Sequence, residues 1–274
     1  MLDLLLTGGT VVDGTGARPL VADVGIRHGR IVVVGETDEP ADRVIDATGM
    51  VVCPGFIDLH THYDAQLLWD PTASPSVLHG VTTVLGGNCG FSVAPLGPDD
   101  APYIQRMMAV VEGIPLEALE RTGPWEWRSF AEYLDRVDTG LAVNAGFLVG
   151  HSTVRRAVMG GEATRAEADP AQVGAMVELV EESLAGGALG FSSSLGEGHL
   201  DGEGRPVPSS AAAPDEFVAL AGALRRHPGT TLEFIPSVGP IPDDRVQLLT
   251  EMSLAADRSL NGNLLGSLAS EEIW

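Results

Sequence analysis

The stretch at residues 51–66 reads VVCPGFIDLHTHYDAQ, an apolar run ending in two histidines one residue apart, His60 and His62, with Asp58 and Asp64 continuing the same spacing. Side chains two apart on an extended segment share a face, so two imidazoles in this pattern can hold one metal ion together. A buried histidine pair without a partner would instead carry a desolvation cost. A further group follows in VTTVLGGNCGFSVAP, where Cys89 lies between Asn88 and Gly90, beyond Gly86 and Gly87. A thiolate is a soft ligand that suits zinc. A lone cysteine at an apolar strand end also fits a small buried hydrophobe, and Cys53 in MVVCPG is read that way.

Composition narrows the chemistry. The chain has 38 acidic and 16 basic residues for a formal net charge of −22, which argues against nucleic acid or an anionic membrane as partner. All the basic residues are arginine, so a Schiff base, a P-loop lysine and a carbamylated lysine bridging two metals are excluded. Two cysteines are too few for a disulfide scaffold, and neither a signal peptide nor an apolar run of membrane length stands out. The expectation is a cytoplasmic protein acting on a small molecule.

These residues need elements to position them. Before Pro54, short β-rich runs alternate with Gly8-Gly9, Asp13-Gly14 and His28-Gly29, where hairpin turns are expected, giving a small antiparallel sheet module. From Pro54 onward the rhythm changes to apolar strands alternating with helical patterns, the pattern of repeated βα units on a parallel sheet. Strands are read near 55–60, 81–86, 143–149, 188–193, 231–236 and 262–266, and helices near 99–111, 126–137, 166–186, 212–226 and 242–256. Asp169-Pro170 marks a start for the third helical pattern, and Gly186-Gly187 its end. The fold class is α/β of the (β/α)8 TIM-barrel type, with about six of the eight strands visible. After the sixth strand the sequence stops at SLASEEIW, and a truncated form of a longer protein is expected. In such a barrel the catalytic face is at the carboxyl ends of the strands, where His60, His62 and Cys89 fall.

The runs TGGTVVDGTGARPLVADVGIRHGRI and IDATGMVVCPGFIDLHTHYD resemble the opening of the amidohydrolase superfamily. HGVTTVLGGNCGFSVAP, GFLVGHSTVRRAVMG and GALGFSSSL are similar to the N-acyl-D-amino-acid deacylase (D-aminoacylase) branch. The resemblance implies a β-sandwich assembled from both termini, with residues 1–53 its N-terminal part, and a metal-dependent barrel over 54–274 whose last units are missing. It implies hydrolysis of an amide or cyclic-amide C–N bond, and one or two zinc ions. It also implies that His60 and His62 serve one metal position and that Cys89 does the work of the carbamylated lysine in relatives. The absence of lysine agrees independently.

The departures matter as much. The family pattern supplies histidines from the fifth and sixth strand ends and an aspartate after the eighth, which acts as ligand and general base. Here the fifth strand reads TTLEFIPSV, with Glu233 the nearest substitute, and the sixth reads SLNGNLLGS. Asp64 and Glu233 are the acid–base candidates. His199, in LGEGHLDGEGRPVPS where the family more usually has a tyrosine near the substrate, and His151, read as ending the third strand, are candidate substrate contacts; a solvated loop histidine is the other reading of His199. Arg155 and Arg156 are read as surface salt-bridge formers, with attraction of a substrate carboxylate as the other reading. His28, His79 and His227 read as turn or helix-end residues. The expected reaction is deacylation of an N-acyl-D-amino acid by a zinc-activated water. Two readings stay open beside it. One is a catalytically incompetent or split fragment that self-associates or needs a complementing chain; the other is a cyclic-amide hydrolase of the same superfamily.

Overall fold

The computed structural model describes residues 1–195, 198–237 and 241–263. The chain divides into two compact units, Met1–Phe56 and Ile57–Trp274. In the first, strands β1 (Leu2–Val11), β2 (Leu20–Arg27), β3 (Arg30–Gly35) and β4 (Ala41–Asp46) form a sheet in the order β3-β2-β1-β4, and β5 (Val51–Val52) also pairs with β1. β1 and β3 run antiparallel to β2, but β4 and β5 run parallel to β1, so the sheet is mixed rather than antiparallel. His28 and Gly29, at φ 52° and 70°, make the tight hairpin turn between β2 and β3.

Gly8-Gly9 is not a turn. It lies inside β1, where the register against β2 shifts between Leu6 and Gly9, and the Gly8 N–H donates to Asp23 Oδ1 at 2.9 Å. A Cβ on Gly9 would meet Val52 Cγ2 at 2.6 Å, so glycine is demanded here by a bulge and close packing. Val11, Ala22 and Val24 form this unit's small core, with Leu6 and Val52 packed against it. Cys53, read as a core residue, is exposed because it follows the end of β5 in the loop leading to Pro54.

The second unit is built from βα repeats. The strands are β6 (Phe56–Asp58, beginning on the last residue of the first unit), β7 (Val81–Gly86), β8 (Asn144–Phe147), β9 (Val149–Gly150), β10 (Gly190–Ser194), β11 (Thr231–Ile235) and β12 (Leu260–Gly262). The helices are α1 (Ser74–Val77), α2 (Ala101–Val111), α3 (Leu116–Glu120), α4 (Phe130–Val137), α5 (His151–Met159), α6 (Pro170–Ala185), α7 (Pro214–Ala223) and α8 (Asp243–Ala256). One sheet has the order β6-β7-β8 and another β12-β11-β10-β9. β7 pairs parallel with β8, and β10 pairs parallel with β9 and β11, as β11 does with β12. Leu148 links the two sheets: it separates β8 from β9, and its N–H donates to the Gly86 carbonyl at 3.0 Å. Part of the strand expected at 262–266 lies outside the described residues; what is described, β12, begins at Leu260.

Local signals set the helix starts. Asp169 accepts the Ala171 and Gln172 N–H groups while Gln172 reaches back to the Asp169 N–H, a capping box with Pro170 just inside the helix. Ser129 and Glu132 make the same reciprocal pair at the start of α4. The strands bury Val84, Phe147, Val149, Phe191, Leu232 and Phe234 in one large core shared with Met107, Tyr133, Val180, Phe217 and Leu248 from the helices. Burial of each large apolar side chain contributes about 1.5–3 kcal/mol, and β-branched and aromatic residues on the strands suit a sheet covered by helices.

Candidate metal centre

β6 ends at Asp58, two residues short of His60. The alternation expected to carry Asp58, His60, His62 and Asp64 on one strand face therefore stops early, and the segment is fixed by other contacts. The Thr61 N–H and hydroxyl both donate to the Leu85 carbonyl at 3.0 Å, and the His60 N–H approaches Asp58 Oδ1 at 3.3 Å. From this anchored segment the two imidazoles converge, with their Nε2 atoms 3.3 Å apart.

Cys89 arrives from the end of β7 on an unusual turn. Gly87, Cys89 and Gly90 all have positive φ, at 72°, 59° and 80°. A Cβ on Gly87 would stand 2.0 Å from the Leu148 carbonyl oxygen, so the loop can pass β8 and β9 only with glycine there. The turn brings Cys89 Sγ to 3.2 Å from His60 Nε2 and 3.6 Å from His62 Nε2. Tetrahedral zinc with nitrogen ligands at about 2.0–2.1 Å and sulfur at about 2.3 Å needs ligand atoms about 3.3–3.6 Å apart. The three donors fit that requirement in spacing and in chemical type, and among the described residues they form the one group of histidine, cysteine or acidic side chains so gathered.

The electrostatics also suit a cation. Burial, reinforced by His60 and His199, pulls the His62 pKa down to about 3, which keeps the ring neutral and its lone pair free. Burial, with the nearby Glu233, Glu112 and Asp64, pushes the Cys89 thiol far up. Burial likewise lifts Asp64 to about 7, and Glu112 and Glu233 to about 8. A cation at the three donors would oppose the upward shifts of the thiol and the carboxyls and draw the proton from the thiol.

A cavity of about 540 Å³ opens onto the cluster, and its wall includes Phe91, Val111, Glu112, His199, Ile235 and Asn263. The His199 ring stands edge-on to Phe91, 5.1 Å between centroids, and its buried Nδ1 has no partner among the described residues. Burial lowers its pKa, so this ring is neutral too. Its loop is tied down by Asp201, which accepts the Glu203 and Arg205 N–H groups and the Tyr103 hydroxyl at 2.9, 3.0 and 3.2 Å. Glu112 Oε1 lies 3.2 Å from His62 Nδ1.

The other sequence candidates are placed elsewhere. Asp64 and Glu233 are fully buried and are not among the residues that line the cavity; their carboxyl oxygens accept the Gly87 and Cys89 N–H groups, each at 2.9 Å. His151 opens α5 rather than ending a strand, because β9 stops at Gly150. It is fully buried, with Nδ1 2.8 Å from Ser193 Oγ and Nε2 2.7 Å from Glu216 Oε1. Arg155 is no surface residue: it is wholly buried, paired with Glu216 and donating from Nε to the Ala163 carbonyl at 2.9 Å. Arg156 lies against Asp100 at 2.8 Å and over the Tyr103 ring at 4.1 Å. His28, His79 and His227 lie in turns or bends.

Sequence reasoning passed over Glu112, Glu216 and Ser192. A signal existed for Glu112, since an acid directly after the last turn of α2 opposes the helix dipole and calls for another reason to be there. Ser192, one of three consecutive serines in β10, carries no such signal.

Residues 43–261 match the sequence model described as "Amidohydrolase family". D-aminoacylase of Alcaligenes xylosoxydans xylosoxydans is 40% identical over 229 residues, covering 83% of this chain and 43% of that protein. A solved D-aminoacylase structure superposes with a TM-score of 0.75 at 36% identity, covering 96% of this chain and 51% of that one. N-acyl-D-glutamate deacylase from Bordetella bronchiseptica, solved with zinc and a phosphonate inhibitor, gives a TM-score of 0.75 at 29% identity over 94% of this chain and 50% of that one. The chain thus spans about half the length, or less, of the relatives it matches.

Proposed function

Because the chain belongs to the amidohydrolase family, we propose that it carries the metal-binding part of a hydrolase for non-peptide amide C–N bonds, with N-acyl-D-amino acids as substrates. The observation that carries this reading is the convergence of His60 Nε2, His62 Nε2 and Cys89 Sγ within 3.2–3.6 Å. These three residues would hold zinc, the ion named with the Bordetella relative. Bound there, zinc would supply Lewis-acid polarisation of the scissile carbonyl and activation of the attacking water.

The chain's own residues do the rest. Phe91, Val111 and Ile235 give the cavity an apolar wall that excludes water around the scissile group. His199, neutral and on the cavity wall, is assigned a contact with the substrate. Asp64 and Glu233 were the acid–base candidates, but each already accepts an N–H of the cysteine loop. Glu112 is the carboxyl on the cavity wall, and we assign it the proton transfer to the leaving nitrogen. His151 we assign to the buried frame, since both ring nitrogens are engaged.

At the level of the fold, we assign the described residues from 54 onward to part of a (β/α)8 barrel and residues 1–53 to part of a β-sandwich. We place the protein in the cytoplasm. Among the described residues no helix is long and apolar enough to cross a membrane. Hydrolysis of a panel of N-acetyl-D- and N-acetyl-L-amino acids, run with metal analysis of wild type and Cys89→Ala, tests the reading. Zinc that is lost with Cys89→Ala and turnover confined to D-substrates are expected. Unchanged zinc in Cys89→Ala, or turnover of cyclic amides alone, contradicts it.

A further inference from the structure

The turn that delivers Cys89 has one hydrogen bond within its own backbone, from the Phe91 N–H to the Asn88 carbonyl at 2.9 Å. With φ positive at Gly87, Cys89 and Gly90, it cannot run on as a regular helix or strand, yet it is buried and its remaining N–H groups need acceptors. Three of them are met by side chains from three different places. The Gly87 N–H goes to Asp64 Oδ2 at 2.9 Å, the Cys89 N–H to Glu233 Oε2 at 2.9 Å, and the Gly90 N–H to Ser192 Oγ at 3.0 Å. Ser192 then donates its own proton to the Gly87 carbonyl, so one hydroxyl closes both ends of the turn. A carboxylate could not do this, because it only accepts.

We infer that Ser192, with Asp64 and Glu233, is a positioning set that locks the Cys89 turn and so presets the thiol against His60 and His62. This rests on the metal-site reading above and deepens it: the residues that fix ligand geometry are not themselves ligands. The neighbouring serine cannot substitute. Side chains alternate along β10, and Ser193 is engaged by His151 at 2.8 Å. Ser192 is fully buried and does not line the cavity, so its effect on the ion can pass only through the loop.

The test is cobalt(II) binding to the protein, followed by the near-ultraviolet thiolate-to-cobalt absorption and by chelator competition. Wild type should show the band and Cys89→Ala should lack it. Ser192→Ala should keep the band but bind about 10–100-fold more weakly, the usual effect of losing a group that orients a ligand. Ser192→Thr, which keeps a hydroxyl, should restore affinity, and Ser193→Ala, which removes a buried hydroxyl from the same strand, should leave it near wild type. If Ser192→Ala does not fold, Ser192→Cys carries the test, since a thiol is a poor donor and acceptor and should weaken binding likewise. Wild-type affinity in the Ser192→Ala or Ser192→Cys protein overturns the positioning set alone. No thiolate band in wild type, or the same band in Cys89→Ala, overturns the metal-site reading and this inference with it.

Discussion

His151, Glu216 and Arg155 show what single residues contribute away from the metal ligands. Glu216 can only accept when ionised, so His151 donates from Nε2 and its Nδ1 accepts from the Ser193 hydroxyl, which fixes the tautomer of a neutral ring. Burial lowers the His151 pKa and outweighs the upward pull of Glu216. For Glu216, burial pushes upward, but the hydrogen bonds from His151 and Arg155 and the charge of Arg155 prevail and hold it below the usual value. A carboxyl depressed in the folded state stabilises above its unfolded pKa, about 4.3, and that contribution is lost as pH falls through the folded value. Glu216→Gln should therefore destabilise at neutral pH by about 3–5 kcal/mol, because it leaves Arg155 buried without its anion. It should also flatten the acid limb of the stability profile below about pH 4. Chemical denaturation across pH checks both, and an unchanged acid limb would show that Glu216 is not the group being protonated. This network was not legible in the sequence: GHSTVRR and PDEFVAL are far apart in the chain, and nothing in either says that His151, Arg155 and Glu216 meet.

At the scale of elements, periodicity located the repeating strands and the longer helices, because their apolar faces are set by burial in one core. It failed where a short element is decided by tertiary contact. α5 begins directly on the residue after β9, with no loop to announce it, so GHSTVRRAVMG reads as a strand end. Gly8-Gly9 reads as a turn for the same reason: the glycine is required by Val52 packing on β1, which lies more than forty residues away in sequence. Likewise the cysteine turn could be suspected from GGNCG, but its acceptors Asp64, Ser192 and Glu233 are brought in by three other segments. Two substitutions separate local from tertiary control. Asp169→Ala removes the cap of α6 and should cost about 1 kcal/mol while leaving metal content unchanged. Gly87→Ala adds backbone strain of roughly 1–2 kcal/mol before its Cβ meets the Leu148 carbonyl, and should lower both thermal stability and metal content. Calorimetry with metal analysis distinguishes them; a Gly87→Ala protein of wild-type stability and zinc content would contradict the close passage described here.

On the scale of the molecule, the sheets β6-β7-β8 and β12-β11-β10-β9 bring the segments that follow β6 and β7 to the middle of β11, so that residues 58–64, 86–90 and 233 meet although they are far apart in the chain. The types and spacing of the His-x-His pair and one cysteine suggested a shared ligand group from sequence, and the three do converge, whereas the hydrogen bonds of the buried carboxyls around them could not be read there. The large negative charge and the absence of lysine restricted the chemistry without locating it. The central claim is that His60, His62 and Cys89 hold one zinc ion together. Zinc-edge X-ray absorption of the zinc-loaded protein tests it most directly: the account predicts a shell with one sulfur at about 2.3 Å and imidazole nitrogens at about 2.0–2.1 Å, and a shell of nitrogen and oxygen without sulfur would contradict it.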